Sequence, residues 1–297
     1  MLNLKLGGDL EKIKVVGRYM IEVWRAVGMN MDRVRFLWAS DEFSTHSDTY
    51  WARVLDVSTK NTLARIQRCG QIMGRGDKGL QASQVFYPCM QAADVFFLGV
   101  DVCQLGLDQR KVNMLAREYA DQVKLPKPAI LSHPMCPGLQ KGQQKMSKSA
   151  PDTAIFMEDT EEDVLRKVNK AFCPGPVDFE KDVAAQEADA AAKKIPFDRD
   201  GAENLANPVL SYFKLIVMDA LPAGQPIKVG GASFDGFHAL RAAYLANAVH
   251  PAELKQALVG YLNSLLQPVR DHFNSSEELK GLRDQVIHAQ IQSISGK

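Results

Sequence analysis

The sequence predicts an α/β domain with a parallel sheet, followed by a domain that is almost entirely helical. In the first half of the chain, segments with helical spacing of apolar residues alternate with short apolar runs of strand length, which is typical of a parallel sheet connected by helices. From about residue 155 onward the helical spacing continues with little interruption. We therefore expect two domains, residues 1–155 and residues 156–297.

Four helices and two strands are predicted in the first domain. Apolar residues recur at helical spacing in residues 8–27, 50–69, 87–97 and 112–120, and Pro88 is expected to open the third of these helices. Compact apolar runs predict strands at residues 34–39 and 100–105, the second of them buried. Four prolines between residues 126 and 137 predict an irregular, extended stretch.

The second domain is predicted from helical periodicity. The expected helices cover residues 161–172, 208–218, 234–248 and 251–273. The last one has Pro251 and Glu253 in its first turn, where helices favour both residue types. Residues 178–194 are rich in alanine and charged residues, which predicts either an exposed helix or a mobile insertion.

The composition is that of an ordinary globular protein of 297 residues, with 46% hydrophobic residues and 36 Lys and Arg against 35 Asp and Glu. It excludes a disordered or collagen-like chain, and no apolar run approaches the roughly 20 residues that a membrane-spanning helix needs. The five cysteines form no C-x-x-C pair, which argues against a disulfide framework or a cysteine zinc site and favours a reducing, cytoplasmic location. A net charge of +1 gives no overall attraction to nucleic acid. A local basic patch is compatible with this net charge, so nucleic-acid binding is not excluded.

Three polar side chains, Tyr87, Gln91 and Asp94, fall at positions i, i+4 and i+7 and so share one face of a predicted helix. Such a triplet is often only a solvated helix face. Here the helix runs directly into the apolar letters VFFL and the next strand, which places it close to the core. A carboxylate, an amide and a phenol at the carboxyl end of a parallel sheet are suited to holding a small polar ligand.

The turn after the second predicted strand contains Gly106, Asp108 and Gln109. Glycine permits a close approach of the backbone, and the two polar side chains can reach the crevice beside the helix face described above. This turn is by itself a weak signal, and its meaning depends on the neighbouring helix.

A basic loop near the end of the first domain is more specific. It contains two lysines three residues apart among small hydroxyl residues, and Gly138 and Gly142 precede it. Such a loop can close on a polyphosphate, with each ammonium group neutralising charge that develops on a leaving group. The alternative is an exposed basic loop between two domains. The loop consists of Lys145, Met146, Ser147, Lys148 and Ser149.

Three segments together resemble tyrosyl-tRNA synthetase of the archaeal and eukaryotic type. They are YPCMQAAD at residues 87–94, GLDQRKVNMLARE at residues 106–118 and KMSKS at residues 145–149. The resemblance extends from about residue 5 to beyond residue 273. The tryptophanyl enzyme shares the fold but usually reads KMSAS in the loop. The resemblance implies a Rossmann-like parallel sheet followed by an all-helical anticodon-binding domain.

The enzyme that the chain resembles is a tyrosine–tRNA ligase, which acts in protein biosynthesis. It converts tyrosine and ATP to tyrosyl-adenylate and pyrophosphate, and then transfers the tyrosyl group to tRNA(Tyr). ATP, accompanied by Mg²⁺, is the implied nucleotide substrate. Catalysis of this kind rests on positioning and charge stabilisation and needs no covalent nucleophile.

The resemblance assigns four residues to the tyrosine site. Asp94 would accept a hydrogen bond from the phenol of the substrate, while Tyr87, Gln91 and Gln109 would hold its amino-acid end. Phenylalanine would leave the buried carboxylate unpaired and would be rejected, a discrimination for which tyrosyl-tRNA synthetases are the standard example.

The remaining candidates are assigned by the same resemblance to the nucleotide. Gly106 and Asp108 would lie against the ribose. Lys145 and Lys148 would be the catalytic residues, because they would stabilise the pyrophosphate as the loop closes over ATP. The whole loop would contact the nucleotide through Lys145, Met146, Ser147, Lys148 and Ser149. No protein metal ligand is expected.

The sequence departs from this family at one motif. A class I synthetase binds the ATP phosphates with an HIGH-type segment after its first strand, and none of the six histidines begins an H-x-G-H. We expect the first strand and the HIGH helix to be absent, which would expose two strand edges that a doubly wound sheet pairs. The chain is then a truncated active enzyme, a part of a longer or tandem enzyme, or a shortened module that binds tRNA or a protein without making adenylate.

The implied partners are tyrosine, ATP, tRNA(Tyr) and a second copy of the chain, with no membrane. The family forms a homodimer through a segment that corresponds to about residues 50–85, where Leu63, Ile66 and Ile72 are interface candidates. The alternative for these three residues is packing in the core. Binding of tRNA is expected to depend strongly on salt, because a local basic patch would carry it.

Overall fold

The computed structural model of the protein describes residues 8–72, 82–147 and 150–295. They form two compact units: the first holds Gly8 and the described part of residues 32–135, and the second holds residues 9–31 and 136–295. A parallel sheet lies in the first unit and the second is mainly helical, which confirms the predicted fold class. Within the described ranges, no helix is long and apolar enough to cross a membrane.

The helices and strands of both units alternate with connections of different lengths, the longest of which covers residues 134–160. In chain order they are α1 (Leu10–Ala26), α2 (Ala39–Thr45), α3 (Ser47–Thr59), α4 (Leu63–Ile72), α5 (Ala82–Phe97), β1 (Val102–Gly106), α6 (Arg110–Val123), β2 (Ala129–His133), α7 (Glu161–Asn169), α8 (Pro176–Ala192), α9 (Arg199–Ala206), α10 (Pro208–Tyr212), α11 (Met218–Ala220), β3 (Ile227–Val229), β4 (Ala232–Phe234), α12 (Phe237–Leu245), α13 (Pro251–Asn274) and α14 (Glu277–Ser295).

The sheet of the first unit consists of β1 and β2, which pair in parallel with Val102 opposite Ala129. Strand β1 confirms the strand predicted at residues 100–105, but the prediction that it is buried is wrong, since side chains along it alternate between partly covered and exposed. Val102 is 54% exposed and Leu131 of β2 is 56% exposed. Successive side chains of a strand point to opposite faces. One face of this sheet therefore stays open to solvent within the described structure.

The strand predicted at residues 34–39 is not present. Residues 34–38 form neither helix nor strand, and α2 already begins at Ala39. A strand needs a neighbour that accepts and donates its backbone hydrogen bonds, and no described segment pairs with these residues. The apolar run alone could not distinguish a strand from a partly buried connection.

Two predicted helices have different boundaries in the structure. The helix predicted over residues 50–69 is interrupted between α3 and α4, where Asn61 donates a side-chain hydrogen bond to the carbonyl oxygen of Val57 at 2.8 Å. Thr62 then accepts a hydrogen bond from the backbone N–H of Arg65 at 3.2 Å, so two short polar side chains end one helix and begin the next. Pro88 does not open its helix but lies inside α5, buried, six residues after its first residue.

The core of the first unit lies where α3, α5 and α6 meet. Tyr50 and Val54 from α3 are fully buried there, together with Leu115 and Tyr119 from α6. Tyr87, Gln91 and Asp94 of α5 are only half-buried, whereas the same cluster contains five buried residues of this helix: Cys89, Met90, Ala92, Ala93 and Val95. The core therefore fixes α5 and leaves its polar face half-exposed.

The second unit is built from helices and one small hairpin, β3 with β4. The predicted helix at residues 208–218 is continuous from α10 to α11 through a π-helical turn at Phe213–Val217. Residues 178–194 lie in α8 and the turn after it, and α8 buries Phe179 and Val183. The segment is therefore helical, as one alternative predicted, but the helix is not exposed on all sides.

Helix α1 packs against α13 and α14 within the second unit. The rings of Tyr19 and Phe273 stack with centroids 4.9 Å apart, and the Tyr19 hydroxyl donates to Glu158 at 2.9 Å. The two compact units divide between Met135 and Cys136, not at residue 155. The functional boundary at residue 155 stays a prediction, because compactness does not define where functions divide.

Candidate active site

The polar face of α5 begins the candidate site. Tyr87, Gln91 and Asp94 are half-buried, each on the side that the core of the first unit leaves open. The Asp94 carboxylate accepts a hydrogen bond from the hydroxyl of Tyr50, with 2.9 Å between Oη and Oδ1. Tyr50 lies on α3 and is fully buried. The structure thus adds a second phenol to the predicted triplet.

Burial sets the protonation of this pair. Burial raises the pKa of the Asp94 carboxyl above its usual value, and the Tyr50 hydrogen bond acts in the opposite direction. Burial, followed by the nearby Asp94 charge, raises the pKa of the Tyr50 phenol far above its usual value. Tyr50 is therefore a neutral donor at all physiological pH values, and Asp94 is the acceptor.

Gln91 and Gln109 meet as the sequence predicts. The Gln91 Nε2 atom donates to Gln109 Oε1 at 3.1 Å. The other amide atom, Gln91 Oε1, is buried and accepts no hydrogen bond from the described residues. A buried polar atom without a partner costs free energy, so this oxygen is suited to receive a donor from a bound ligand.

Gly106 ends β1 at the carboxyl edge of the sheet. A Cβ atom at this position would lie 2.8 Å from Met135 Sδ and 2.9 Å from Asp108 Oδ1, both too close for a side chain. Glycine therefore lets the half-buried Asp108 carboxylate approach the strand end. Gly106 and Asp108 lie beside Gln109 at this edge, and the crevice expected there stays a prediction.

The lysine loop belongs to the second unit. Lys145 is exposed, Met146 packs in part against the main core of that unit, and the Ser147 carbonyl accepts from the Ala150 N–H at 3.1 Å. The predicted residues Lys148 and Ser149 lie outside the described residues.

Hydrogen bonds hold the segment that precedes the lysine loop, residues 138–143. Gln143 donates a side-chain hydrogen bond to the Thr153 hydroxyl at 2.8 Å, and its carbonyl accepts from the Gly138 N–H at 3.0 Å. Gly138 leaves room for this side chain, since a Cβ there would meet Gln143 Cδ at 2.0 Å. Leu139, next in the chain, is fully buried.

One of the three interface candidates is a core residue. Ile66 is buried in the core of the first unit, so its assignment to an interface is wrong, because packing inside the unit already covers it. Leu63 is 58% exposed and stays a candidate. The side chain of Ile72 lies outside the described residues.

Tyr50 is the site residue that the sequence did not indicate. It precedes Asp94 by 44 residues, and no motif or spacing links the two positions. Its only signal is its place in a predicted helix, which says nothing about the helix it will pack against.

The sequence profile of a known family matches the part of the chain that holds these candidate residues. The profile described as tRNA synthetases class I (W and Y) matches residues 3–189, more than half of the chain. The chain belongs to this family. The candidate residues of both units lie within the matched range.

Individual relatives of the chain are named tyrosine–tRNA ligases. Tyrosine–tRNA ligase 2, cytoplasmic, of Arabidopsis thaliana is 50% identical over 96% of this chain and 35% of its own length. Tyrosine–tRNA ligase 1, cytoplasmic, of the same organism is 47% identical over 96% of this chain and 69% of its own length. The resemblance to tyrosyl-tRNA synthetase is thereby confirmed.

A solved structure shows the same fold. Tyrosyl-tRNA synthetase of Leishmania major in complex with tyrosinol is 48% identical and superposes with a TM-score of 0.84, covering 98% of this chain and 52% of that chain. This chain thus spans between about a third and two thirds of these three relatives.

Proposed function

We propose that the chain carries out the reaction of a tyrosine–tRNA ligase, which activates tyrosine with ATP and transfers it to tRNA(Tyr). The observation that carries this proposal is the Asp94 carboxylate, which is held by Tyr50 on the same helix face as Tyr87 and Gln91. The names of the relatives support tyrosine as the amino acid.

The tyrosine site is proposed in the first unit. Asp94 accepts a hydrogen bond from the substrate phenol, and the orphan Oε1 of Gln91 accepts from the α-ammonium group. Tyr87 and Gln109 complete the enclosure of the amino-acid end. Bound phenylalanine has no hydroxyl to offer, so Asp94 loses a hydrogen bond that water supplied before binding. This is the discrimination for which tyrosyl-tRNA synthetases are the standard example.

The nucleotide site is proposed from Gly106, Asp108 and the lysine loop. The carboxylate of the amino acid attacks the α-phosphorus of ATP, the bond to the β-phosphate oxygen breaks, and pyrophosphate leaves. Lys145 and Lys148 stabilise the charge on that leaving group, while Met146, Ser147 and Ser149 shape the loop around it. The 3′-terminal hydroxyl of tRNA(Tyr) then attacks the mixed anhydride and AMP leaves.

Mg²⁺ is proposed to arrive with the nucleotide. Across the described ranges, no group of three or more His, Cys, Asp or Glu side chains is arranged to hold a metal ion. We propose that the ion is bound through phosphate oxygens and water, because Mg²⁺ usually keeps several waters and takes few protein ligands.

The helical part of the chain, about residues 156–297, is proposed to bind tRNA(Tyr), and a second copy of the chain is proposed to pack near the exposed Leu63. A location in the cytoplasm is proposed because both Arabidopsis relatives are named cytoplasmic.

Affinity for tRNA is expected to fall steeply when salt is raised several-fold, since Lys and Arg contacts release counterions. A flat salt profile would contradict this part of the proposal.

The first experiment is tyrosine-dependent exchange of labelled pyrophosphate into ATP. It compares the 297-residue chain with a longer chain that also carries an H-x-G-H segment. Exchange in the short chain supports the proposed function, whereas exchange in the longer chain alone would show that the reaction needs the added H-x-G-H segment. Exchange in the short chain would also show that its own residues suffice to bind the ATP phosphates. No exchange in either chain, with tRNA binding retained, would favour the alternative of a non-catalytic binding module.

A further inference from the structure

Tyr50 is connected to the candidate tyrosine site through the hydrogen bond of its hydroxyl. Its hydroxyl donates to Oδ1 of Asp94, and no other described residue hydrogen-bonds to that carboxylate. The second oxygen, Oδ2, therefore keeps its full capacity to accept a hydrogen bond from a ligand.

Aromatic neighbours fix the ring of Tyr50. Phe43 lies 4.3 Å away between ring centroids, and Phe97 and Trp51 meet the ring edge-on at 5.1 and 5.6 Å. Because Tyr50 is fully buried, its hydroxyl cannot turn to water for another partner. The position of the donor, and with it the position of Oδ1, is set by this packing.

We propose that Tyr50 is a positioning residue that orients the Asp94 carboxylate toward the phenol of bound tyrosine and thereby sets the preference for tyrosine over phenylalanine. This inference rests on the proposed function. Two donors on one carboxylate divide its oxygens: the buried Tyr50 takes Oδ1, and the substrate takes Oδ2. Without the Tyr50 hydroxyl the carboxylate can rotate about its χ2 angle. The phenol of the substrate then meets an acceptor that is no longer oriented in advance, which weakens its hydrogen bond.

The same donor favours the ionised form of the carboxylate. Burial favours the neutral form of Asp94, and Tyr50 is the only titratable residue whose interaction shifts its pKa among the described residues. Loss of the hydroxyl raises the pKa of Asp94 further. A neutral carboxyl group is a weaker acceptor for two phenols, so both effects reduce tyrosine binding and leave phenylalanine binding unchanged.

The test is Tyr50→Phe in the 297-residue chain, which keeps the ring and its aromatic contacts. Dissociation constants for tyrosine and for phenylalanine are measured by calorimetry or equilibrium dialysis. Tyrosine binding is expected to weaken about tenfold, whereas phenylalanine binding changes less than about twofold. The pKa of the Asp94 carboxyl, measured by carbon NMR, is expected to rise in the variant.

The matched control is Tyr119→Phe. Tyr119 is also a fully buried tyrosine of the first core, but its hydroxyl bonds to Asp56 and Arg53 and not to Asp94. This variant is expected to leave both dissociation constants unchanged. Addition of Tyr50→Phe to Asp94→Asn is expected to cause no further loss of discrimination, because Tyr50 acts through the carboxylate. A further loss of discrimination in this double variant would contradict the inference.

The outcomes separate the two proposals. Failure of the unmodified chain to bind tyrosine contradicts the proposed function and removes the inference with it. Tyrosine binding by the unmodified chain, combined with an equal loss for both amino acids or no loss in Tyr50→Phe, overturns the inference alone. The equal loss would mean that the hydroxyl only supports the fold.

Discussion

Asp94 shows what a single residue contributes to this site. Its carboxylate lies on a helix face that the core does not cover, yet burial is strong enough to raise its pKa. The sequence predicted the residue because Tyr87, Gln91 and Asp94 share one face at helical spacing. It could not predict Tyr50, because the contact depends on how α3 packs against α5.

Asp94→Ala is expected to weaken tyrosine binding by about 10- to 100-fold, because a hydrogen bond to a charged group is lost. The control is Asp101→Ala, which removes an exposed carboxylate from the loop before β1. Equilibrium dialysis with labelled tyrosine measures both variants, and circular dichroism confirms that they are folded. Unchanged tyrosine binding in Asp94→Ala would show that the pocket is assigned wrongly.

Replacement of Lys145 and Lys148 by Ala is expected to slow adenylate formation far more than it weakens tyrosine binding, because the lysines act on charge that develops in the transition state. Lys141→Ala is the control, since this exposed lysine precedes the loop and its Nζ lies 2.7 Å from the Asp182 carboxylate. Single-turnover formation of tyrosyl-adenylate provides the rate. An unchanged rate of adenylate formation would favour the alternative that the loop is only an exposed basic connection between two domains.

At the scale of elements, the start of α7 is held by a buried ion pair. Lys167 is 4% exposed and Asp159 is 6% exposed, and the lysine Nζ lies 2.7 Å from both carboxylate oxygens. The ammonium also lies 4.8 Å from the centre of the Phe156 ring, and Arg270 of α13 donates to the Asp159 carbonyl at 2.9 Å. The helix itself was predicted from periodicity, but this anchor was not, because its partners lie outside the repeat.

Lys167→Met is expected to destabilise the protein by about 3–5 kcal/mol at pH 7, since it leaves a buried carboxylate without its counterion. Burial already raises the pKa of Asp159 above its usual value, so the carboxyl is neutralised at a higher pH than an ordinary aspartate. The loss is therefore expected to shrink as pH falls toward 4. Urea unfolding at both pH values measures it.

The control for the ion pair is Arg166→Met. Arg166 is the preceding residue, and its bonds to Asp152 and Asp163 are exposed to solvent. Solvent screens such pairs, so little change in stability is expected at either pH. Equal losses in the two variants would contradict the view that burial gives the Lys167 pair its importance.

The whole molecule is organised by contacts between distant parts of the chain. Local periodicity predicted α1, α7, α12, α13 and the helix that runs from α10 to α11, but it did not predict α9 or α14. It could not show that α1 packs against α13 and α14, because the Tyr19 and Phe273 rings are brought together only by the tertiary fold. For the same reason it placed a strand at residues 34–39, where the described chain offers no pairing partner.

Tyr19→Ala tests the place of α1 in the second unit. The change removes the stacking on Phe273 and the hydrogen bond to Glu158, and is expected to cost about 3–5 kcal/mol. Tyr19→Phe keeps the ring and is expected to cost about 1 kcal/mol. Urea unfolding gives both values.

Amide hydrogen exchange locates the effect of Tyr19→Ala. The amides of α14 are expected to exchange faster in this variant, while those of α5 in the first unit stay protected as before. Faster exchange that is equal in both units would contradict the assignment of α1 to the second unit.

The bond between Tyr50 and Asp94 also limits how the pocket can change by mutation. Loss of Asp94 alone leaves a buried hydroxyl without an acceptor, and loss of the Tyr50 hydroxyl alone leaves the carboxylate with one donor fewer. Only the simultaneous change of both to apolar residues avoids the two penalties. A variant that accepts tyrosine analogues without a free hydroxyl is therefore reached through a double substitution. Each single variant is expected to be less stable than both the unmodified protein and the double variant.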